Sequence, residues 1–499
     1  MTEQAPEQEP ATVSETTQQA GEAQPPAGVR ARWNWVEPAV WTERMLTALE
    51  EGVKGGKWFR LIDKVYALPN LRQAFARVKA NHGAAGVDHV TVEEFEHDLE
   101  ANLEKLSHAL ADGSYRPQAV RRHWINKPGS KEQRPLGIPT VRDRVVQAAL
   151  RAVLEPIFER DFAAQSYGFR PKRGCKDALR RVDHLLKQGY SWVVDADLKS
   201  YFDTIPRSEL IARIKAKIAD GRVLKLLEAF LRQGVLEAMN LWTPEAGTPQ
   251  GAVISPLLSN IYLDALDHQM AARGIERVRY ADDFVVLCGT EGEAQRALEE
   301  VRRWTAQAGL TLHPVKTRIV DATQPGGFDF LGYHFERGLR WPRRKSERKF
   351  RDTIRAKTRR THGQSLQATI VDLNRTLVGW FEYFNTAIRP RSPRWTAGCA
   401  CDCAASCAAG GADRDRGAGR TISAGPMPTL RSAGCSPWLQ LMPPPVSPLG
   451  GKTTNWRAGC GRSASPVRRE GERHYDLPTP IVRLRAHLVG EVQDLSRST

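Results

Sequence analysis

Two adjacent carboxylates with no basic residue between them, Asp282 and Asp283, lie in the run Arg277-Val278-Arg279-Tyr280-Ala281-Asp282-Asp283-Phe284-Val285-Val286-Leu287. Like charges this close repel, and solvent damps that repulsion poorly once the site is partly enclosed. A hard divalent cation such as Mg²⁺ relieves it with the oxygen ligands it prefers. A solvated Asp-Asp turn satisfies the same residue types, since Asp is a common turn former. A second acidic stretch lies far upstream, in Trp192-Val193-Val194-Asp195-Ala196-Asp197-Leu198-Lys199-Ser200-Tyr201-Phe202-Asp203. Asp195 and Asp197 are two apart and so share one face of a strand. Lys199 offers one of them an ordinary ion-pair partner. The alternative sets Asp197 beside Asp282 and Asp283, so that three carboxylates hold two divalent ions about 3.5–4 Å apart, the arrangement that supports in-line phosphoryl transfer.

The elements that must position these groups are short strands. Val278 to Tyr280 and Phe284 to Leu287 flank the polar break as the arms of a β-hairpin. Trp192 to Val194 begin a buried strand. Upstream, Trp58, Leu61, Ile62, Val65 and Leu68 recur at helical spacing, with Pro69 as the stop. Thr91 opens a helix to about Ala111. Val120 to Lys127 and Arg134 to Pro139 read as two strands joined by the turn Pro128-Gly129-Ser130, and the prolines make this hairpin an edge element. Val141 to Phe162 reads as a one-sided amphipathic helix that Pro156 should end or kink. Leu210, Ile211, Ile214 and Ile218 form another helix, stopped by Gly221.

Composition narrows the partners. The 499 residues carry a formal net charge of +16, which points to a polyanion, most simply nucleic acid. No stretch of about 20 apolar residues is present to span a membrane. The N-terminus is acidic and lacks the basic region of a secretory signal. Of eight cysteines, Cys175 and Cys288 lie in the part that reads as folded, usage suited to a reducing cytoplasm.

Asp197-Leu198-Lys199-Ser200-Tyr201-Phe202-Asp203 and Tyr280-Ala281-Asp282-Asp283 resemble the paired signatures of reverse transcriptases. Between them, the run from Gly247-Thr248-Pro249-Gln250-Gly251 through Ser255-Pro256-Leu257-Leu258-Ser259-Asn260 to Asp264 resembles the group II intron-encoded reverse transcriptase, or maturase. The resemblance covers roughly residues 60–390.

It implies an α+β right-hand polymerase with a palm sheet, a fingers hairpin and a helical thumb. The expected layout is a disordered N-terminus (1–32), an N-terminal extension (33–107), fingers and palm (108–336) and a truncated thumb or maturase domain (337–390). The implied activity is RNA-directed DNA polymerisation, copying intron RNA and assisting splicing and mobility. The alternative is an RNA-binding splicing cofactor with an idle polymerase. Asp197, Asp282 and Asp283 are the implied catalytic and Mg²⁺-holding residues. Lys127 and Arg134 would contact the incoming triphosphate, and Lys316 would stand near the reacting phosphates. Phe202 would lie under the nucleotide sugar and exclude a 2′-hydroxyl. Gln250 would lie beside the nascent base pair, and Gly251 would let backbone approach the primer–template. Phe328 to Phe335 resembles the primer grip, although its aromatics suit plain sheet core equally. The implied partners are intron RNA as template, a DNA primer and deoxynucleoside triphosphates, in the cytoplasm, with homodimerisation left open and no membrane.

The resemblance stops near Ile388. In the tail 391–499, Arg394 to Arg420 is mostly Ala, Gly, Cys and Arg without apolar period, and Cys399, Cys401, Cys403 and Cys407 crowd together. That spacing is not a standard tetrahedral zinc site. The composition reads as GC-rich DNA translated in a shifted frame, which would leave the thumb truncated.

Overall fold

The computed structural model describes residues 28–126, 133–237, 240–244, 246–248, 251–359, 363 and 365–387. Most of the N-terminal segment, Lys127, the Pro128-Gly129-Ser130 turn, Gln250 and the Cys-rich tail lie outside the described residues. The chain divides into two compact units, each built from three separate stretches. One comprises residues up to Gln118, Pro139–Asp161 and Ile211–Phe230; the other comprises Ala119–Ile138, Phe162–Leu210 and everything from Leu231 on.

The first unit is helical and centres on the helix Val141–Glu159, which Thr140 caps by accepting from the Asp143 amide at 3.1 Å. Its burial runs nearly all round, not along one side: Asp143, Arg144 and Gln147 are buried together with Val145, Leu150 and Leu154. Pro156 sits inside this helix without ending it. Proline has no amide hydrogen, so the carbonyl four residues back loses its helical partner. That carbonyl, on Ala152, instead accepts from the indole Nε1 of fully buried Trp41 at 3.0 Å.

Other sequence readings change here. Pro69 starts the helix Leu68–Ala80 instead of stopping one, because proline fits the first turn where no intrahelical amide bond is required. Trp58 is outside any helix and bridges to Ile218. Gly221 begins the helix Gly221–Leu231, for which Asp220 is the reason. Its Oδ1 accepts from the amides of Arg222 and Val223, while Oδ2 accepts from Leu61 and Ile62 at 2.6 and 2.9 Å. One carboxylate thereby satisfies amides of two separate chain stretches.

The second unit carries the strands: β1 (Val120–Asn126), β2 (Gln133–Ile138), β3 (Trp192–Asp197), β4 (Val235–Glu237), β5 (Asn240–Trp242), β6 (Glu276–Tyr280), β7 (Asp283–Cys288), β8 (Arg318–Asp321), β9 (Phe328–Phe330), β10 (Tyr333–Glu336) and β11 (Leu339–Pro342). They form three sheets, ordered β2-β1-β4-β5, β6-β7-β3-β8 and β11-β10-β9. The β1–β2 hairpin forms as read, but only β2 is an edge, because β1 also pairs in parallel with β4. In the third sheet Phe328, Phe330, Tyr333 and Phe335 are at most 1% exposed. Their rings fill the core with Val193, Val278 and Val285. The plain-core reading of these aromatics fits their burial.

Beyond β11 the helix Arg344–Lys357 packs Phe350 and Ile354 against Leu373 of the helix Leu366–Phe384, with Phe350 and Trp380 stacked at 4.4 Å between centroids. Arg344, Lys345, Arg348, Lys349 and Arg355 face solvent.

Replacing Trp41 with Phe leaves the Ala152 carbonyl buried and unbonded, a loss of about 1–3 kcal/mol in urea unfolding. In a Pro156→Ala background the restored amide takes that carbonyl, so the same replacement is expected to cost measurably less.

Candidate functional site

The four-stranded sheet β6-β7-β3-β8 is antiparallel throughout. Its register places Asp197, the last residue of β3, directly opposite Asp283, the first of β7. Tyr280 pairs with Asp283 across the hairpin, leaving Ala281 and Asp282 as its two-residue turn. Ala281 takes a left-handed backbone at φ 60°. Such a turn requires positive φ at its first residue, and Ala adopts it at some cost. Asp195, Asp197, Asp282 and Asp283 thus gather on two neighbouring strands.

Each of these acids meets a cation from elsewhere in the unit. Arg318 on β8 approaches Asp195 at 3.5 Å. Lys316 donates its Nζ to Asp197 Oδ2 at 2.5 Å. Lys199, offered by the sequence as a partner, forms no ion pair with Asp195 or Asp197; its backbone amide donates to the Thr311 carbonyl. Arg134, exposed on β2, favours the charged form of Asp282. Arg343, just past β11, does the same for Asp283.

The cations do not cancel the crowding. The Asp283 carboxyl reaches solvent at the lip of the sheet yet has protein on its other sides. Loss of hydration, followed by repulsion from Asp195, Asp282 and Asp197, pushes it up to about 7. Asp195 is pushed up to about 6, mainly by burial and against the pull of Arg318. Burial also raises Asp282, with Asp197 adding to it. Carboxylates that bind protons this readily are sites at which a cation gains much by binding.

The donor set fits a hard divalent ion. Among the described residues no three acids or imidazoles are drawn tightly enough to ligate a metal unaided, and Lys316 sits on Asp197. The fit is that of an open site whose remaining ligands are water and substrate oxygens, as Mg²⁺ prefers.

The other residues singled out from the sequence fall as follows. Phe202 is the second residue of the short helix Tyr201–Thr204, half-buried, with its ring edge-on to Tyr201 at 5.4 Å. Its carbonyl accepts from the Thr248 amide at 2.7 Å. Lys127 and Gln250 lie outside the described residues. Gly251 has a local reason to be glycine. At φ 100° its missing Cβ would stand 2.5 Å from the Gly137 carbonyl oxygen and 2.7 Å from Leu136 of β2, so the close approach observed there is to protein.

Sequence reading missed the buried layer beneath the turn. Arg277 and Arg279 are at most 1% exposed, and both pair with Asp267 of the helix Ser255–Ala272. The available signal was Arg-Val-Arg inside an otherwise apolar strand, since buried guanidinium groups require a carboxylate partner.

The raised acids carry a sign. A folded-state pKa above the ordinary 3.8 gives stability that is full below that value and lost as pH rises through the folded pKa. For Asp283 the window runs from about 4 to about 7. In EDTA, Asp283→Asn is therefore expected to melt higher than the parent at pH 8, with the difference shrinking toward pH 4. Added Mg²⁺ should raise the parent's melting temperature at pH 8 and not the variant's to the same extent.

Residues 125–335 match the family described as reverse transcriptase (RNA-dependent DNA polymerase), and residues 347–394 match the group II intron maturase-specific domain. The chain is 42% identical over 196 residues to the group II intron-encoded protein LtrA of Lactococcus lactis subsp. cremoris, covering 39% of this chain and 32% of that protein. The match thus spans about a third of the length of LtrA. It is 32% identical over 379 residues to the protein YkfC of Escherichia coli strain K12, covering 68% of this chain and 94% of that protein. Among solved structures it is similar to a partial Cas6-RT-Cas1–Cas2 complex, at 25% identity and a TM-score of 0.33 over 50% of this chain and 41% of that one. With a reverse transcriptase segment followed by a maturase-specific segment, and a relative matched over nearly its whole length, the chain belongs to the group II intron-encoded reverse transcriptase/maturase family.

Proposed function

We propose that this protein is an RNA-directed DNA polymerase that copies intron RNA into DNA and assists the splicing and mobility of that intron. The observation that carries the reading is the β3–β7 register, which sets Asp197 opposite Asp283 with Asp282 adjoining. The reaction joins the primer 3′-oxygen to the α-phosphorus of a deoxynucleoside triphosphate and releases pyrophosphate, so negative charge accumulates on the phosphate oxygens. Asp197, Asp282 and Asp283 would hold Mg²⁺, which when bound supplies Lewis-acid neutralisation of that charge.

The remaining groups bind and orient. Arg134 offers a planar fork to triphosphate oxygens, and its charge already reaches Asp282. Lys316, tied to Asp197, carries a compact positive charge where the leaving pyrophosphate needs one. Phe202 excludes a 2′-hydroxyl by its bulk, which is discrimination by clash. Lys127 would assist at the triphosphate and Gln250 beside the nascent pair. Intron RNA is the template and a DNA strand the primer, in the cytoplasm, with a homodimer as the assembly to test.

A second reading, a splicing cofactor with an idle polymerase, is favoured by one observation. The maturase-specific segment includes most of the basic helix Arg344–Lys357, with Arg348, Lys349 and Arg355 suited to RNA phosphates. Primer extension run beside intron splicing separates the two.

Asp282→Ala is expected to abolish primer extension; a loss below about tenfold, ~1.4 kcal/mol, removes the assigned role. Phe202→Val is expected to lower the preference for deoxy- over ribonucleotides in kcat/KM by about tenfold or more, with deoxynucleotide incorporation largely retained.

A further inference from the structure

The Ala281–Asp282 turn is held from inside the protein. Arg279, on β6 two residues before it, is wholly buried. Its guanidinium spreads three ways. Nε and Nη2 fork Asp267, the shortest of these bonds being 2.6 Å. Nη1 donates to Asn260 Oδ1 at 2.9 Å and to the Ala281 carbonyl oxygen, also at 2.9 Å. That carbonyl belongs to the peptide whose nitrogen is that of Asp282. Asn260 closes a ring by donating its Nδ2 to the Gly168 carbonyl at 2.9 Å. Gly168 in turn lies flat on the turn, where a Cβ would stand 2.2 Å from the Ala281 nitrogen. The Ala281 residue is therefore clamped on both sides, by Gly168 backbone and by a guanidinium.

We propose that Arg279 is a positioning residue for the carboxylate centre. By fixing the Ala281–Asp282 peptide, it sets where the Asp282 and Asp283 oxygens stand before any ion or nucleotide arrives. The proposal rests on reading those carboxylates as the metal-holding centre. Two features separate it from a purely structural role. The first is the bond to Ala281, which contributes nothing to neutralising Asp267 and acts on the one residue of the turn with a left-handed backbone. The second is a natural comparison on the same strand. Arg277 is equally buried and pairs with the same Asp267, but its guanidinium lies over the Phe284 ring at 5.0 Å. Arg277 serves charge and packing; Arg279 serves these and the turn. Lysine at 279 keeps the charge beside Asp267, yet a single ammonium on a flexible stem cannot reproduce a planar fork aimed at Asp267, Asn260 and Ala281 together.

The test uses the full chain as parent, Arg279→Lys, Arg277→Lys and Asn260→Ser. Three readouts are taken: thermal unfolding, binding of Mn²⁺ alone to metal-free protein by electron paramagnetic resonance, and primer extension resolved into kcat and nucleotide KM. Arg279→Lys is expected to weaken Mn²⁺ binding by about 10–100-fold, the range found when groups that orient metal ligands are removed. Its kcat should fall similarly, with KM within about twofold of the parent. Arg277→Lys is expected to stay within about twofold of the parent in Mn²⁺ affinity while losing comparable thermal stability. Asn260→Ser should shift Mn²⁺ affinity in the same direction as Arg279→Lys, and the double variant should be less than additive. If Arg279→Lys does not fold, Asn260→Ser carries the comparison alone, since it unties Gly168 and leaves the Asp267 fork in place. Parent-like Mn²⁺ binding in these variants, or an equal loss in Arg277→Lys, overturns the proposal. A parent that binds Mn²⁺ with the expected pattern yet extends no primer overturns the polymerase reading and leaves the positioning role standing.

Discussion

Like-charge crowding at the junction of β3 and β7 is the constraint around which the second unit is arranged. Asp195, Asp197, Asp282 and Asp283 are brought together by strand pairing, which the carboxylates themselves oppose. The answer is distributed. Arg318 comes from β8, Lys316 from the loop before it, Arg134 from a different sheet, and Arg343 from the start of the basic helix. None of these removes the cost completely, as the raised Asp195 and Asp283 show. A site that retains unfavourable electrostatics in its resting state favours occupancy by a small, highly charged ion. Natural proteins tolerate such local conflict chiefly where function requires it.

Beneath that exposed layer lies a buried one with the opposite imbalance, two guanidinium groups against one carboxylate. Burial lowers the pKa of both, Arg279 to about 10, which still leaves it charged at neutral pH. Desolvating two cations is expensive, and a well-packed apolar layer would serve stability as well or better. What an apolar layer cannot do is donate hydrogen bonds in several fixed directions at once. Arg279 does so, to Asp267, Asn260 and Ala281, and the precision of the turn follows from rigid partners on a strand and a helix instead of from the turn's own preferences.

How much of this could be read from one sequence depended on the range of the interaction. The acidic hairpin is legible because apolar residues flank Asp282 and Asp283 closely. The helix start at Thr91 is legible too, and the capping box with Glu94 that secures it is wholly local. That helix nevertheless breaks at Asp98 before resuming as Leu99–Asp112. Pro69 and Gly221 look like stops in the sequence yet both open helices; each residue type serves either end, and Asp220, one position before Gly221, is the deciding neighbour. Pro156 reads as a residue that ends or kinks its helix, and the compensating donor, Trp41, lies more than a hundred positions away. The partners Lys316 and Arg318 were equally out of reach, so Lys199 took their place by proximity in the chain. The aromatics from Phe328 to Phe335 are ambiguous in sequence because a stacking platform and a sheet core require the same residues, and burial is a property of the fold.

The interleaving of the two units bears on how the protein is made. The chain passes between them five times, the last at residue 230, so neither unit is a contiguous segment that a ribosome can finish and release. When Val141–Glu159 emerges, Gly221–Leu231 and the Asp220 that ties down Leu61 and Ile62 have yet to be translated. β1 and β2 likewise wait for β4 with pairing groups exposed. Long waits of this kind leave a nascent chain open to misassociation and place a premium on chaperones during elongation. No simple cut in the gene yields either half as an independent module.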